Sequence, residues 1–116
     1  MVSANVRFRV RVTRGDDIAI GPGKIALLEA IASAGSITNA AKALNMSYRR
    51  AWLLVDTMNR SFRAPVVAAG AGGSRGGGAT LTALGREVVE RYRRIESTAA
   101  DAAADDIRGI EALLRK

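Results

Sequence analysis

The chain lacks the residues on which most catalytic and metal sites depend. Its 116 residues include no cysteine and no histidine. The absence of cysteine excludes disulfide bonds, thiolate metal sites and a thiol nucleophile. The absence of histidine removes the commonest general base and the commonest transition-metal ligand. We therefore predict that the protein is not an enzyme and that it uses no metal or other cofactor.

Long hydrophobic runs are also missing, although hydrophobic residues make up 48% of the chain. No stretch is long enough to span a membrane, and residues 1–5 do not resemble the apolar core of a signal peptide. We predict a cytoplasmic protein. A length of 116 residues suits a single domain with a real core but little room for a ligand cavity, so we expect no small-molecule ligand.

Acidic residues are scarce in the middle of the chain, which carries most of the net charge of +7. Between residues 36 and 86, Asp56 is the only acidic residue, and from residue 96 onwards acidic residues outnumber basic ones. The basic residues of the middle segment are Lys42, Arg49, Arg50, Arg60, Arg63, Arg75 and Arg86. A basic segment confined to one part of a chain indicates a polyanionic partner.

Residues 36–62 have the pattern of two short helices joined by a tight turn. Ser36 and Ser47 are suitable N-caps, and Asn45 tolerates the left-handed conformation that ends a helix. Small residues at 40 and 41 allow a second helix to approach closely. This arrangement, with basic residues early in the second helix, is typical of a helix-turn-helix that enters a DNA major groove. An ordinary helical hairpin is the alternative.

Helical spacing divides the second helix into two faces. We predict a core face formed by Tyr48, Trp52, Val55 and Phe62. We predict an outer face formed by Arg49, Leu53, Asp56 and Arg60. On this basis Trp52 belongs to the core and does not stack on bases.

Residues 66–82 read as a β-hairpin, because two short apolar runs flank a glycine-rich stretch at 70–78. Directly after a helix-turn-helix, such a hairpin is the wing of a winged helix, and Arg75 would supply its charge. A disordered linker is the alternative. A nucleotide-binding loop is excluded, because no Lys-Ser or Lys-Thr follows the glycines and Arg75 occupies the third glycine position of G-x-G-x-x-G.

The first 34 residues predict a hairpin followed by a helix. Within residues 5–20, apolar residues from Val6 to Val12 alternate with arginines, which indicates a half-buried strand, and residues 18–20 form a return strand. We interpret the arginine row as a solvated strand face, with phosphate contact as the alternative. A helix then begins near Pro22 and presents a core stripe. The stripe comprises Ile25, Leu28, Ile31 and Ala32.

Residues 82–115 predict one long helix capped by Thr82. Its apolar stripe is longer than a small winged core can cover, so we predict a homodimer. The predicted dimer residues are Leu84, Val88, Tyr92, Ile95, Ile107, Ile110 and Leu114. The alternative is two helices that fold back on each other after a break near residues 97–98.

These runs together resemble the N-terminal DNA-binding domain of ModE-type molybdate-responsive regulators, which are related to the LysR-type helix-turn-helix. The similar stretches are residues 21–31, 35–41, 46–52, 55–59, the glycine-rich wing and 81–85. The resemblance implies a bacterial winged helix-turn-helix, mainly α with small β-hairpins, that dimerises and binds palindromic operators. Family members carry molybdate-binding domains after this region, so we expect a single-domain version (residues 1–116) that does not bind molybdate.

The leading hypothesis is a sequence-specific, dimeric transcriptional regulator. The alternatives are a module that pairs with a full-length regulator, and a nonspecific nucleoid-type DNA binder. The predicted DNA-binding residues are Ser36, Thr38, Ser47, Tyr48, Arg49, Arg50, Arg60 and Arg75.

Overall fold

The computed structural model describes residues 5–70 and 78–115, and within them the chain forms a winged helix. Short hairpins precede and follow a three-helix unit, and a helical extension completes the domain. The elements are β1 (Val12–Arg14), β2 (Asp17–Ile20), α1 (Pro22–Ala34), α2 (Ile37–Ala43), α3 (Tyr48–Ser61), β3 (Val67–Ala69), β4 (Ala79–Leu81), α4 (Ala83–Ala102) and α5 (Ala104–Leu113). The predicted fold class, mainly α with small hairpins, is confirmed.

Local sequence signals set the boundaries of the three-helix unit as predicted. The Ser36 hydroxyl accepts a hydrogen bond from the Asn39 amide at 3.0 Å, and the Ser47 hydroxyl accepts one from the Arg50 amide at 3.1 Å. Asn45 adopts the left-handed conformation with φ of 57°, which ends α2 and turns the chain into α3. The turn between the two helices therefore needs only residues 44–47.

The core lies where α1, α2 and α3 cross. Ala40, Ala41 and Ala51 are almost fully buried, since their small side chains let the helix axes approach. The core face of α1 differs from the prediction at two positions, because Ala32 is exposed and Leu27 is buried. The largest fully buried side chains are Ile25, Leu27, Leu28, Ile31, Met58 and Val66.

The predicted strand at residues 6–12 is wrong for most of its length. The first hairpin pairs only Val12–Arg14 with Asp17–Ile20, and residues 5–11 form no strand. The physical reason is the length of the partner: β2 ends at Ile20, and Pro22 immediately begins α1. Residues before Val12 therefore have no neighbouring strand to pair with.

The second hairpin is the predicted wing, and it is fixed to the helices at its base. Val67 pairs with Leu81 and Ala69 with Ala79 in an antiparallel ladder. The Ala79 amide donates to the Gly35 carbonyl at 2.9 Å, which joins the hairpin to the turn between α1 and α2. Arg75 lies outside the described residues.

The prediction of one long helix over residues 82–115 is wrong at Ala103, where the helix is interrupted. This residue has φ of −96° and ψ of 5°, and it separates α4 from α5. The predicted alternative, folding back near residues 97–98, is wrong, because α4 runs through that point and no residue of α5 is buried. Among the described helices, none is long and apolar enough to cross a membrane.

Candidate nucleic-acid interface

The groove between α3 and the wing hairpin brings several predicted site residues together. Thr38 from α2 and Tyr48 from α3 line this groove, whose volume is about 320 Å³. The opposite wall is formed by the wing strands at residues 67–69 and 78–79. Two helices with capped N-termini and the wing hairpin therefore share one surface, which is the arrangement that a winged helix offers to DNA.

The prediction that Trp52 is a core residue is wrong. Its side chain is 47% exposed and Tyr48 is 54% exposed, and both line the groove beside the wing. The core face of α3 is formed by Ala51, Val55 and Met58, a set rotated away from the predicted one. Residues 48 and 52 thus lie at the edge of the core face, where the wing base takes the place of a covering helix.

The predicted outer face of α3 is confirmed as accessible. Arg49 is exposed and Leu53 is 46% exposed. Arg60 is also exposed, but its Nε donates to the Asp56 carboxylate at 3.0 Å. Arg49 has no such partner among the described residues, since it takes part in none of the ion pairs found there. Arg49 is therefore the cation on this face that is most available to an external anion.

Ser36 and Ser47 each have a hydroxyl that can both cap a helix and contact a ligand. Each oxygen accepts an amide hydrogen of its own helix, which leaves the hydroxyl hydrogen available as a donor. Phosphate oxygens at helix N-termini accept such donors together with backbone amides. These two serines are consistent with backbone contacts to a polyanion.

Arg50 does not lie beside Arg49 on the outer face. It occupies the opposite flank of α3 from the wing groove, and it lines a cavity shared with residues 9–11 and the start of α1. Of the eight predicted DNA-binding residues, the structure thus brings Thr38 and Tyr48 to the wing groove, Arg49 and Arg60 to the outer face, and Arg50 to the far flank.

Asn59 is a residue whose role the sequence patterns did not reveal. Its Oδ1 accepts hydrogen bonds from the Val66 and Val67 amides at 2.8 and 3.2 Å, and its Nδ2 donates to the Val67 carbonyl at 3.2 Å. One side chain of α3 therefore sets the position of the first wing strand. No sequence signal marks this role, because the partner strand lies eight residues further along the chain.

The helical extension is fixed to the helix-turn-helix through α1. Arg93 of α4 donates to both carboxylate oxygens of Glu29 in α1, with Nε at 3.0 Å from Oε2, and to Glu96 at 2.7 Å. These hydrogen bonds lower the pKa of Glu29 and raise the pKa of Arg93. Both partners are 40–45% exposed, so the pair orients the helices more than it stabilises the fold.

Comparison with known proteins agrees with this geometry. The family of bacterial regulatory helix-turn-helix proteins, lysR family, matches residues 23–86, which include all three helices of the unit and the wing. The chain belongs to this family. Its members are DNA-binding regulators, and the chain is accordingly a DNA-binding regulator domain and not an enzyme.

Several similar proteins have names that refer to molybdenum or to the transcriptional regulator ModE. The chain is 45% identical over 92 residues to the molybdenum transport protein ModE of Azotobacter vinelandii, which covers 78% of this chain and 34% of that protein. It is 44% identical over 81 residues to the molybdenum-pterin-binding protein MopB of Rhodobacter capsulatus, covering 70% and 30%. It is 38% identical over 88 residues to the DNA-binding transcriptional dual regulator ModE of Escherichia coli, covering 73% and 34%. The chain spans about a third of the length of these relatives.

Solved structures share the fold. The DNA-binding domain of CbnR in complex with DNA aligns with a TM-score of 0.57 at 24% identity, covering 77% of this chain and 95% of that domain. Full-length CbnR with its target DNA aligns with a TM-score of 0.54 at 26% identity, covering 74% and 28%. The first of these similarities establishes the winged-helix fold.

Proposed function

We propose that the protein is a sequence-specific transcriptional regulator that binds a palindromic operator as a homodimer. The observation that carries the proposal is the outer face of α3, where Arg49, which has no ion-pair partner among the described residues, lies beside the capped start of the helix. DNA is the partner in the solved complexes of CbnR, which has the same fold. In this proposal, α3 is the recognition helix and lies in the major groove.

Arg49 is proposed to read a base. It is the second residue of α3, and the N-terminal residues of a recognition helix are those that contact base edges. A guanidinium that binds guanine O6 and N7 is worth about 1–3 kcal/mol of discrimination. Arg60 is proposed to contact the DNA backbone, because Asp56 holds its Nε and fixes its direction while the Nη groups remain donors for a phosphate.

Tyr48 and Trp52 are proposed to pack against DNA from the wing side of α3. About half of each side chain is exposed, although aromatic groups gain free energy by leaving water. The methyl group of thymine and the deoxyribose carbons are the apolar surfaces that a major groove offers to them. Because Trp52 is exposed and not part of the core, it is an additional residue of the proposed interface.

The first experiment is the selection of DNA bound by the full chain from a random library, followed by anisotropy titrations of the selected sequence. Arg49→Ala is expected to weaken binding to the selected sequence about 10- to 100-fold and to relax preference at one base pair of each half-site. Arg14→Ala removes an exposed arginine of β1 that has no part in the proposed DNA or dimer interfaces, and it serves as the control. Equal losses in both variants would contradict base reading by Arg49.

A nonspecific nucleoid-type binder is excluded by the same titrations if the selected sequence is preferred. Nonspecific affinity comes almost entirely from phosphate contacts, so it falls steeply with salt for every sequence alike. A preference that persists as salt increases supports the regulator. The absence of any selected sequence would contradict the proposal.

The proposed dimer depends on the part of the extension that the domain leaves uncovered. Ile110 is 63% and Leu113 84% exposed on α5, and Ile95 on α4 is 46% exposed beside a shallow apolar groove. A helix of ten residues is marginal in water without tertiary packing. A second copy of the same helix is the partner that would cover this face in a symmetric dimer.

Four of the seven predicted dimer residues are used within the protomer. Tyr92 is buried and its hydroxyl donates to the Val10 carbonyl at 2.8 Å, while Leu84 and Val88 pack against the core. Ile107 is half-buried and lines a cavity with Val6 and Phe8 of its own protomer. The proposed dimer contacts are therefore Ile95, Ile110 and Leu114, and we add the exposed Leu113 to them. Sedimentation analysis of Ile110→Glu with Leu113→Glu is expected to give a monomer with unchanged core stability. A wild-type protein that stays monomeric at high micromolar concentration would contradict the dimer.

The same uncovered face supports a second candidate function. A longer relative with a similar helix could pair with it, so the chain would act as a module that modulates another regulator. Two mixtures separate the two candidates: the wild-type chain with the longer relative, and the wild-type chain with its own Ile110→Glu variant as the control. A modulator pairs with the relative in preference to a second copy of itself.

A further inference from the structure

Four cationic side chains from three parts of the chain line one cavity beside α3. The cavity has a volume of about 270 Å³, and no carboxylate lines it. None of the four takes part in an ion pair within the part of the chain that the structure describes. We name this group the basic cluster, and its members are Arg9, Arg11, Lys24 and Arg50.

The basic cluster is held in place by backbone contacts. The Tyr92 hydroxyl donates to the Val10 carbonyl at 2.8 Å, which fixes the chain between Arg9 and Arg11. The segment lies against Gly21 at the start of α1, since a Cβ there would be in ordinary contact with the Arg11 Cγ at 3.4 Å. Lys24 donates to the Ile18 carbonyl. Residues 9–11 are therefore packed on the domain and do not form a free strand face.

Repulsion among its like charges makes the basic cluster unfavourable without a counterion, and its one half-buried member, Lys24, is also desolvated. Desolvation lowers the pKa of Lys24, and the attraction of Asp17 only partly opposes it. Like charges that share a cavity repel one another, and an anion with several acceptor oxygens relieves this repulsion. A phosphate group has that chemistry.

The position of the basic cluster indicates that the phosphate belongs to a DNA strand. Arg50 lies on one flank of α3, and Tyr48 and Trp52 line the wing groove on the other flank. A major groove is about 12 Å wide and is bordered by two phosphodiester strands. When α3 lies in this groove, the wing is next to one strand and the basic cluster is next to the other.

We propose that the basic cluster binds phosphates of the DNA strand that borders the major groove on the side away from the wing. This inference depends on the proposed function, because it assumes that α3 enters the groove. Contacts of this kind position a protein on DNA and carry no sequence information. The arginine alternation at residues 7–11 would then serve phosphate binding at positions 9 and 11.

The test compares two double variants of the full chain with equal loss of charge. Arg9→Ala with Arg11→Ala removes half of the basic cluster, whereas Arg7→Ala with Arg14→Ala removes two arginines that do not line the cavity. Anisotropy titrations on the selected sequence from 50 to 200 mM salt give the slope of log affinity against log salt. Two lost phosphate contacts are expected to reduce the slope by about 1.8, and the control pair is expected to reduce it by less than half of that.

Two further measurements locate the contact and distinguish the possible failures. Replacing single phosphates by neutral methylphosphonates on the strand away from the wing should weaken binding by the wild type more than binding by the Arg9→Ala/Arg11→Ala variant, which keeps only Lys24 and Arg50 of the basic cluster. Arg9→Lys with Arg11→Lys should restore the slope. Equal slopes for both alanine pairs would overturn this inference alone, because sequence preference would remain. If the wild-type protein bound no DNA, both the proposed function and this inference would be overturned.

Discussion

Replacing Gly85 by alanine is expected to destabilise the domain, although alanine normally favours a helix. Gly85 is the third residue of α4, and a Cβ there would lie 2.1 Å from the Val66 carbonyl oxygen. Relieving this overlap requires a movement of about 1 Å, because ordinary van der Waals contact starts near 3.4 Å. The Thr82 amide donates to the same oxygen at 3.0 Å, and the Thr82 hydroxyl caps the helix by accepting from the Gly85 amide.

The cost follows from these contacts. Overpacking costs about 1–3 kcal/mol, and a disturbed hydrogen bond adds about 1 kcal/mol. The helix propensity of alanine returns at most about 1 kcal/mol. We therefore expect a decrease of about 2–3 kcal/mol in the free energy of unfolding, which corresponds to a Tm lowered by about 10 °C.

Gly109→Ala is the matched control, measured with Gly85→Ala by urea denaturation followed by circular dichroism. Gly109 lies within α5, and no atom is within 4 Å of the position of its Cβ. The substitution is expected to leave global stability unchanged or to raise it by up to about 1 kcal/mol, with increased helicity. A Gly85→Ala protein as stable as the wild type would refute the close approach between α4 and the wing base.

Three other substitutions test separate hydrogen bonds within the domain. Asn59→Ala is expected to lower stability by about 2–3 kcal/mol in urea titrations, because two wing amides lose their acceptor, whereas Asn39→Ala on the surface of α2 should change it by less than 0.5 kcal/mol. Ser47→Ala is expected to cost about 1 kcal/mol through the lost cap, and Ser47→Asp should retain it. Glu29→Gln should reduce the loss of stability on acidification. Arg93 lowers the pKa of Glu29 in the folded state, so the pair stabilises the protein above the unfolded pKa of about 4.3. This stabilisation disappears as pH falls through the folded pKa. An unchanged acid titration would show that the Arg93 contact has no energetic effect.

The parts of the fold that depend on neighbours in sequence could be predicted from the sequence. Ser36, Ser47 and Thr82 cap helices because each hydroxyl reaches an amide three residues ahead, and Asn45 turns the chain by its own backbone conformation. These effects need no knowledge of the tertiary structure. The order of helices, wing and extension follows from them.

Burial of individual side chains could not be predicted in the same way. Helical spacing places Trp52 and Val55 on adjacent positions of one stripe, but only contact with α1 and the wing base decides which of them leaves water. The strand predicted before Val12 failed for a related reason, since alternation shows that a segment could pair and does not show that a partner exists. The role of Asn59 likewise depends on a partner strand eight residues away.

The apolar stripe of the extension shows how one periodic pattern can serve two purposes. Up to Tyr92 the stripe packs on the domain, whereas Ile95, Ile110 and Leu114 are exposed. Folding of the protomer therefore depends on the first part and association on the second. Since Ile110 and Leu113 are not among the core residues, charged substitutions there should separate the two processes, giving a folded monomer. Such a monomer would bind one half-site, and its loss of affinity for the full operator would measure how much binding free energy the second α3 contributes.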